Sequence, residues 1–246
     1  MSVDPLAPTQ PAPLVVCSGI VDVYHGDADA IVKRGLTLRD AIRQAKEDVY
    51  APLAFLIVKC TQGGKRLGTP YTDPRFAEWI DAATAESVPW GVYHFLTGTD
   101  SGAAQADWLA ESLRAHGVDP EGVAFVACDY EHNPDGATAT PVHAGDFALR
   151  WYIANRRDPW LYADESDYAI AVAHERSLGN LRWWGAAYGN HRPAHAALWQ
   201  YMGAECSDPW EFPKDQVTYP RTMDGLGKVD RSAYVGSAAQ FLASLG

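Results

Sequence analysis

The sequence predicts an α/β fold, an irregular TIM-like barrel of eight strands with a reduced set of helices in the C-terminal third. Two patterns and the chain length predict it. Through the first two-thirds, short apolar runs alternate with helical patterns, which implies a parallel sheet. In the last third, strand-like runs follow one another across gaps without long amphipathic helices, so the barrel is expected to close irregularly on its last side. A length of 246 residues suits one such barrel as a single domain.

The elements follow in order. Pro5, Pro8, Pro11 and Pro13, with few large apolar neighbours, make residues 1–13 an extended proline-rich tail. Residues 14–246 form a single barrel domain that carries the candidate catalytic residues. Strand candidates are residues 14–23, 55–60, 90–95 and 123–129. Between the first two, Thr37 caps a helix whose Leu38, Ala41, Ile42, Ala45 and Val49 share one face. Phe76, Trp79, Ile80 and Ala83 mark the next helix, and Trp108, Leu109 and Leu113 another. Thr140 before Pro141 starts a helix running to about Asn155, because proline in the first turn sacrifices no hydrogen bond. The last strand candidates are residues 160–163, 183–188, 196–201 and a short segment at 228–230.

The apolar fraction of 47% and charged fraction of 21% are those of a globular protein with a sizeable core. A formal net charge of −11 without clustered Lys and Arg argues against general nucleic-acid binding. Cys17, Cys60, Cys128 and Cys206 are far apart and read as small core residues rather than a disulfide or metal set. The N-terminus has no basic start and no apolar stretch of the ~7–15 residues of a secretory signal. No apolar run approaches the ~20 residues that cross a bilayer. The expectation is a soluble chain made in the cytoplasm, monomeric by default, with no membrane insertion.

In a barrel of this kind the active site lies where strands end. Asp22 ends the first strand candidate, Asp129 and Glu131 end the fourth, and Asp230 closes the eighth. Side chains two apart on a strand point the same way, so Asp129 and Glu131 should share a face with Cα atoms roughly 6–7 Å apart. Crowded carboxylates oppose each other's ionisation, which leaves one protonated as a general acid. Glycoside cleavage needs such an acid beside a negative group facing the oxocarbenium ion. The plain alternative is that Asp129 and Glu131 cap a helix or pair with a surface arginine.

His25, Asp27 and His94 are a weaker set of potential metal ligands, without paired-His spacing; neither metal nor cofactor is expected. No G-x-S-x-G elbow is present, and Gly63-Gly64-Lys65 reads as a turn. Aromatics crowd the strand ends at Tyr24, Tyr93, Phe95, Tyr162, Tyr188, Trp199 and Tyr201, where they either stack on sugar faces or fill the barrel. Tyr93, Tyr162 and Tyr188 are the cleft candidates.

These residues sit in a recognisable series: Gly19–Val23, Phe55–Thr61, Asp73-Pro74-Arg75-Phe76, Gly91-Val92-Tyr93-His94-Phe95, Asp129-Tyr130-Glu131, Trp160-Leu161-Tyr162, Trp184-Gly185-Ala186-Ala187-Tyr188, Trp199-Gln200-Tyr201 and Val229-Asp230. In this order the chain resembles glycoside hydrolase family 25, the N-acetylmuramidase lysozymes of bacteriophages, bacteria and fungi. The resemblance implies an eight-stranded barrel and hydrolysis of the β-1,4 bond from N-acetylmuramic acid to N-acetylglucosamine in peptidoglycan, with retention of configuration. It implies that Glu131 is the general acid/base, that Asp129 assists, and that Asp22 and Asp230 complete the acidic cleft. Candidate substrate contacts are Tyr93, His94, Tyr162, Tyr188, Trp199, Gln200 and Gln62.

Two departures stand out. Gln62 replaces the glutamate usual after K-A-T, which should alter subsite affinity rather than catalysis, and one extra residue sits in Gly19-Ile20-Val21-Asp22. The expected partner is the peptidoglycan glycan strand. The expected role is a phage endolysin or bacterial lytic enzyme that reaches the wall through a pore or by specialised secretion. A catalytically silent glycan-binding barrel and a chitinase-like glycosidase are the alternatives.

Overall fold

The computed structural model describes residues 16–65, 70–134, 136–188, 192–203 and 222–246. The proline-rich tail, Leu14 and Cys206 lie outside the described residues. The strands are β1 Val16–Val23, β2 Phe55–Gln62, β3 Tyr71–Thr72, β4 Trp90–Phe95, β5 Val126–Asp129, β6 Trp160–Asp164, β7 Trp183–Ala186, β8 Leu198–Met202 and β9 Asp230–Val235. The helices are α1 His25–Lys33, α2 Leu38–Lys46, α3 Phe76–Ala85, α4 Gly102–Ala115, α5 Pro141–Asn155, α6 Glu165–His174 and α7 Ala238–Ser244. Eight strands close a barrel in the order β1, β2, β4, β5, β6, β7, β8, β9, with β9 pairing back to β1, while β3 is a two-residue addition to the end of β2.

The expected eight-stranded α/β barrel is therefore present, with one correction. The last strand begins, rather than ends, at Asp230 and runs antiparallel to both β1 and β8. A parallel return needs a crossover of a dozen or more residues, usually a helix, and the sequence before Asp230 has no such amphipathic pattern. Three helices lie outside the sequence expectation: α1, α6 and the seven-residue α7. α1 opens on His25-Gly26-Asp27 directly after β1, and α6 buries only Ala171, so its apolar stripe is faint. The α2 face also stops short of expectation: the helix ends at Lys46, and Val49 is 82% exposed.

Strand alternation divides the core into two layers. Ile20, Phe55, Ile57, Phe125, Ala127, Trp160, Tyr162, Trp184 and Leu198 form one cluster, closed from below by Phe241 and Leu245. Val21, Val23, Leu56, Val58, Val92, Val126, Cys128 and Leu161 face outward onto Ile42, Trp79, Leu109, Phe147 and Trp151 of the helices. Cys17, Cys60 and Cys128 are buried free thiols, in keeping with small core residues. Cys17 and Ile20 belong to the same inner cluster although three apart, and the β1–β9 register shifts between them. Beyond that bulge Asp22 lies on the same side of the strand as Ile20.

Candidate active site

Inward parity at the mouth of the barrel selects Asp22 on β1, Tyr93 on β4, Asp129 on β5, Tyr162 on β6, Trp184 on β7, Gln200 on β8 and Asp230 on β9. With Glu131 and Tyr188, just past β5 and β7, they line one cavity of about 100 Å³. β9 contributes its first residue because it runs antiparallel: its start lies beside the ends of the parallel strands, and Asp230 pairs directly with Asp22. Beyond β5 the alternation continues. Tyr130 is buried in the outer layer, its N–H donating to the Tyr162 carbonyl at 2.9 Å, and Glu131 turns to the cavity.

Gln200 organises one side. Its Nε2 donates to both oxygens of Asp22, at 3.1 and 3.0 Å, while its Oε1 accepts from the Tyr162 hydroxyl at 2.6 Å and the Tyr188 hydroxyl at 3.2 Å. Three strands and the segment just past β7 are thereby joined through one amide. Trp184 donates its Nε1 proton to the Ser232 hydroxyl at 2.9 Å. Across the cavity Asp129 is buried, and among the described residues its Oδ1 has no hydrogen-bond partner.

The carboxylates are crowded and desolvated. Burial, reinforced by the charge of Asp230, holds Asp22 well above the usual carboxylate range; burial, reinforced by Glu131, does the same to Asp129. Burial pushes Glu131 up to about 7, with Lys59 opposing and Asp230 adding to the shift. These groups titrate as a set, and the set retains protons near neutral pH.

Lys59 and Trp184 were not singled out by the sequence reading. Lys59 is set into an apolar run on β2, where a lysine reads as an accident of a buried strand. Its ammonium donates to Gln62 Oε1 at 3.0 Å and lies 5.0 Å from the centre of the Phe95 ring and 6.0 Å from that of Tyr93. Burial lowers its pKa, against the pull of Asp129, Asp73 and Glu131. Gln62, a proposed substrate contact, is not among the residues that line the cavity and accepts from Lys59 instead.

Two more proposed substrate contacts belong elsewhere. His94 has the opposite parity to Tyr93; it is fully buried, its Nδ1 2.7 Å from the Thr61 hydroxyl and its Nε2 donating to Gln105 Oε1 at 3.1 Å, with its ring stacked on Phe147. Trp199 likewise alternates with Gln200 and packs with Tyr201, Met202 and Ala233 on the outside of the barrel, donating to the Ala187 carbonyl at 2.7 Å. The potential metal set is not assembled either: among the described residues no group of three or more His, Cys, Asp or Glu side chains is arranged to hold an ion. Asp27 instead accepts from the Tyr24 N–H at 2.9 Å at the head of α1. No helix among the described residues is long and apolar enough to cross a membrane.

The sequence profile of the glycosyl hydrolases family 25 matches residues 44–208. The chain belongs to that family. It is thus a glycoside hydrolase, and its barrel is shared with solved members at low sequence identity. The lysozyme of Streptomyces coelicolor is 23% identical with a TM-score of 0.62, over 91% of this chain and 94% of its own. A family 25 lysozyme of Aspergillus fumigatus is 17% identical with a TM-score of 0.65, over 94% of this chain and 99% of its own. The modular autolysin of Streptococcus pneumoniae, solved with a synthetic peptidoglycan ligand, is 14% identical with a TM-score of 0.61, over 89% of this chain and 46% of its own. Comparison with curated proteins gives no match.

Proposed function

We propose that this family 25 hydrolase is an N-acetylmuramidase that cleaves the β-1,4 bond between N-acetylmuramic acid and N-acetylglucosamine in peptidoglycan. The observation that carries the reading is the convergence of Asp22, Asp129, Glu131 and Asp230 on one cavity, with Glu131 held at about 7. Glu131 is the general acid/base. Protonated near neutrality, it gives its proton to the leaving glycosidic oxygen and afterwards takes one from the attacking water.

The remaining carboxyls share protons as a set, and its ionised members face the positive charge that develops on the sugar ring. Asp22 is held in one orientation by the Gln200 amide, so no reorganisation is needed as that charge forms. The buried, unpartnered Oδ1 of Asp129 accepts the N–H of the substrate's acetamido group. That contact turns the acetamido oxygen toward the anomeric carbon, and two successive displacements there give net retention. Tyr93, Tyr162 and Tyr188 offer ring faces and hydroxyls to the sugar. The setting that fits is a phage endolysin or a bacterial wall-lytic enzyme.

Replacing Glu131 tests the assignment. Glu131→Gln should lower the rate of glycan cleavage on the order of a hundred- to ten-thousand-fold while leaving peptidoglycan binding in place. Unchanged wall clearing by that variant removes Glu131 from the role. Proton NMR of the first sugar released checks retention, through the anomer that appears before mutarotation.

A further inference from the structure

A second set of polar and aromatic side chains stands at the mouth of the barrel, outside the acid cluster. Asp73, with its side chain wholly buried, accepts from the backbone N–H groups of His25 at 3.0 Å and Arg75 at 2.9 Å, and its Oδ2 lies 3.0 Å from His25 Nδ1. The Tyr71 hydroxyl lies 2.9 Å from the same Nδ1. One imidazole nitrogen is thus committed to the protein. Among the described residues Nε2 has no hydrogen-bond partner, on a side chain that is 40% exposed. The Tyr24 ring stands edge-on to the imidazole, with centroids 5.0 Å apart, and is 38% exposed. Gly26 makes room for it, since a Cβ there would fall 2.5 Å from Tyr24 ring atoms.

One side chain and one electrostatic coupling tie this cluster to the catalytic cavity. The Lys59 ammonium lies 5.7 Å from the centre of the Tyr71 ring and 6.0 Å from that of Tyr93, which lines the cavity. Asp27, two residues from His25, feels the charges of both Asp230 and Asp73. A half-exposed aromatic ring beside a nitrogen oriented by a buried carboxylate suits a sugar: the ring takes the apolar C–H face, and the nitrogen takes a hydroxyl or an amide.

We propose that Tyr24 and His25, held by Asp73 and Tyr71, form a further saccharide subsite beside the cavity, which takes another N-acetylated amino sugar of the same glycan strand. The inference rests on the reading of the acidic cavity as a peptidoglycan-cleaving site. With Nδ1–H donated to Asp73, Nε2 accepts from a sugar hydroxyl or the acetamido N–H. Asp73 and Tyr71 are positioning residues. They fix the ring without touching the sugar.

The test is steady-state kinetics on peptide-free glycan strands of two lengths, one long enough to reach the subsite and one confined to the cavity. In His25→Ala and in Tyr24→Leu, KM for the long strand should rise about two- to tenfold, more than kcat changes, and the rise should be much smaller on the short strand. Asp73→Asn should weaken long-strand binding in the same direction. A purely structural role for His25 moves KM on both lengths together; that result, or unchanged long-strand KM in both variants, overturns the proposal. If His25→Ala does not fold, Tyr24→Leu decides, because its ring is at the surface. Calorimetric binding of the long strand to Glu131→Gln, with and without Tyr24→Leu, separates this inference from the reading beneath it. Absence of cleavage by the unmodified protein removes the muramidase reading, whereas equal affinities with and without the Tyr24 ring remove the subsite.

Discussion

Glu131 and Asp27 are both pushed up to about 7, chiefly by burial, yet they serve different ends. Asp27 accepts a backbone hydrogen bond at the head of α1, while Glu131 lines the cavity and is the general acid of the proposed reaction. A general acid works only while protonated, so kcat/KM on a soluble glycan should fall as pH rises through about 7. A profile that stays flat into the alkaline range contradicts the assignment. Lys59 supplies a control, because its ammonium is the charge that lowers Glu131. In Lys59→Met the Glu131 carboxyl should hold its proton more strongly and the alkaline limb should move to higher pH. Position at a strand end made Asp22, Tyr93, Asp129 and Tyr162 legible, and the family resemblance added Gln200; all five sit at inward positions of their strands. Strand parity also shows why His94 and Trp199 were misplaced, since an imidazole or an indole signals what a residue can do and not which way it faces.

At the scale of elements, the site is a joint between strands. The Gln200 amide on β8 bonds Asp22 on β1, Tyr162 on β6 and Tyr188 just past β7. Gln200→Leu leaves the buried Asp22 carboxyl without its two donated contacts and two tyrosine hydroxyls without their acceptor. It should cost about 1–3 kcal/mol in stability, measured by denaturant unfolding, and lower kcat more than it raises KM. A variant with normal stability and normal kcat means that the amide does not organise Asp22. The long, strongly patterned elements were readable in advance: α3, α4 and α5 carry full apolar faces, and β4 begins and ends where its apolar run does. What escaped lacked such a face or depended on context. α6 buries a single alanine, α1 starts on polar residues, and the direction of β9 is set by its neighbours rather than by its own sequence.

For the whole molecule, the buried acids set how stability varies with pH. Asp22, Asp27, Asp129 and Glu131 all have folded values above their ordinary ones. The native chain therefore holds protons that the unfolded chain releases, and stability is lost as pH rises through the folded values, about 7 for Asp27 and Glu131. His94 acts in the opposite sense. Burial lowers it from 6.5 to about 4, so its contribution is lost as pH falls through that lower range. Between about pH 6 and pH 8 the acids dominate, and Tm should be higher at the acidic end of that window; a Tm that is level or rises toward pH 8 contradicts the buried, protonated cluster.

Which bond this barrel cuts decides the muramidase reading. Purified peptidoglycan is digested with the protein, the new sugar ends are reduced with borohydride, and the reduced sugars are identified by mass spectrometry. A muramidase leaves reduced muramic acid ends, and these are the expected product. Reduced glucosamine ends, or no new ends on any wall type, would contradict that reading.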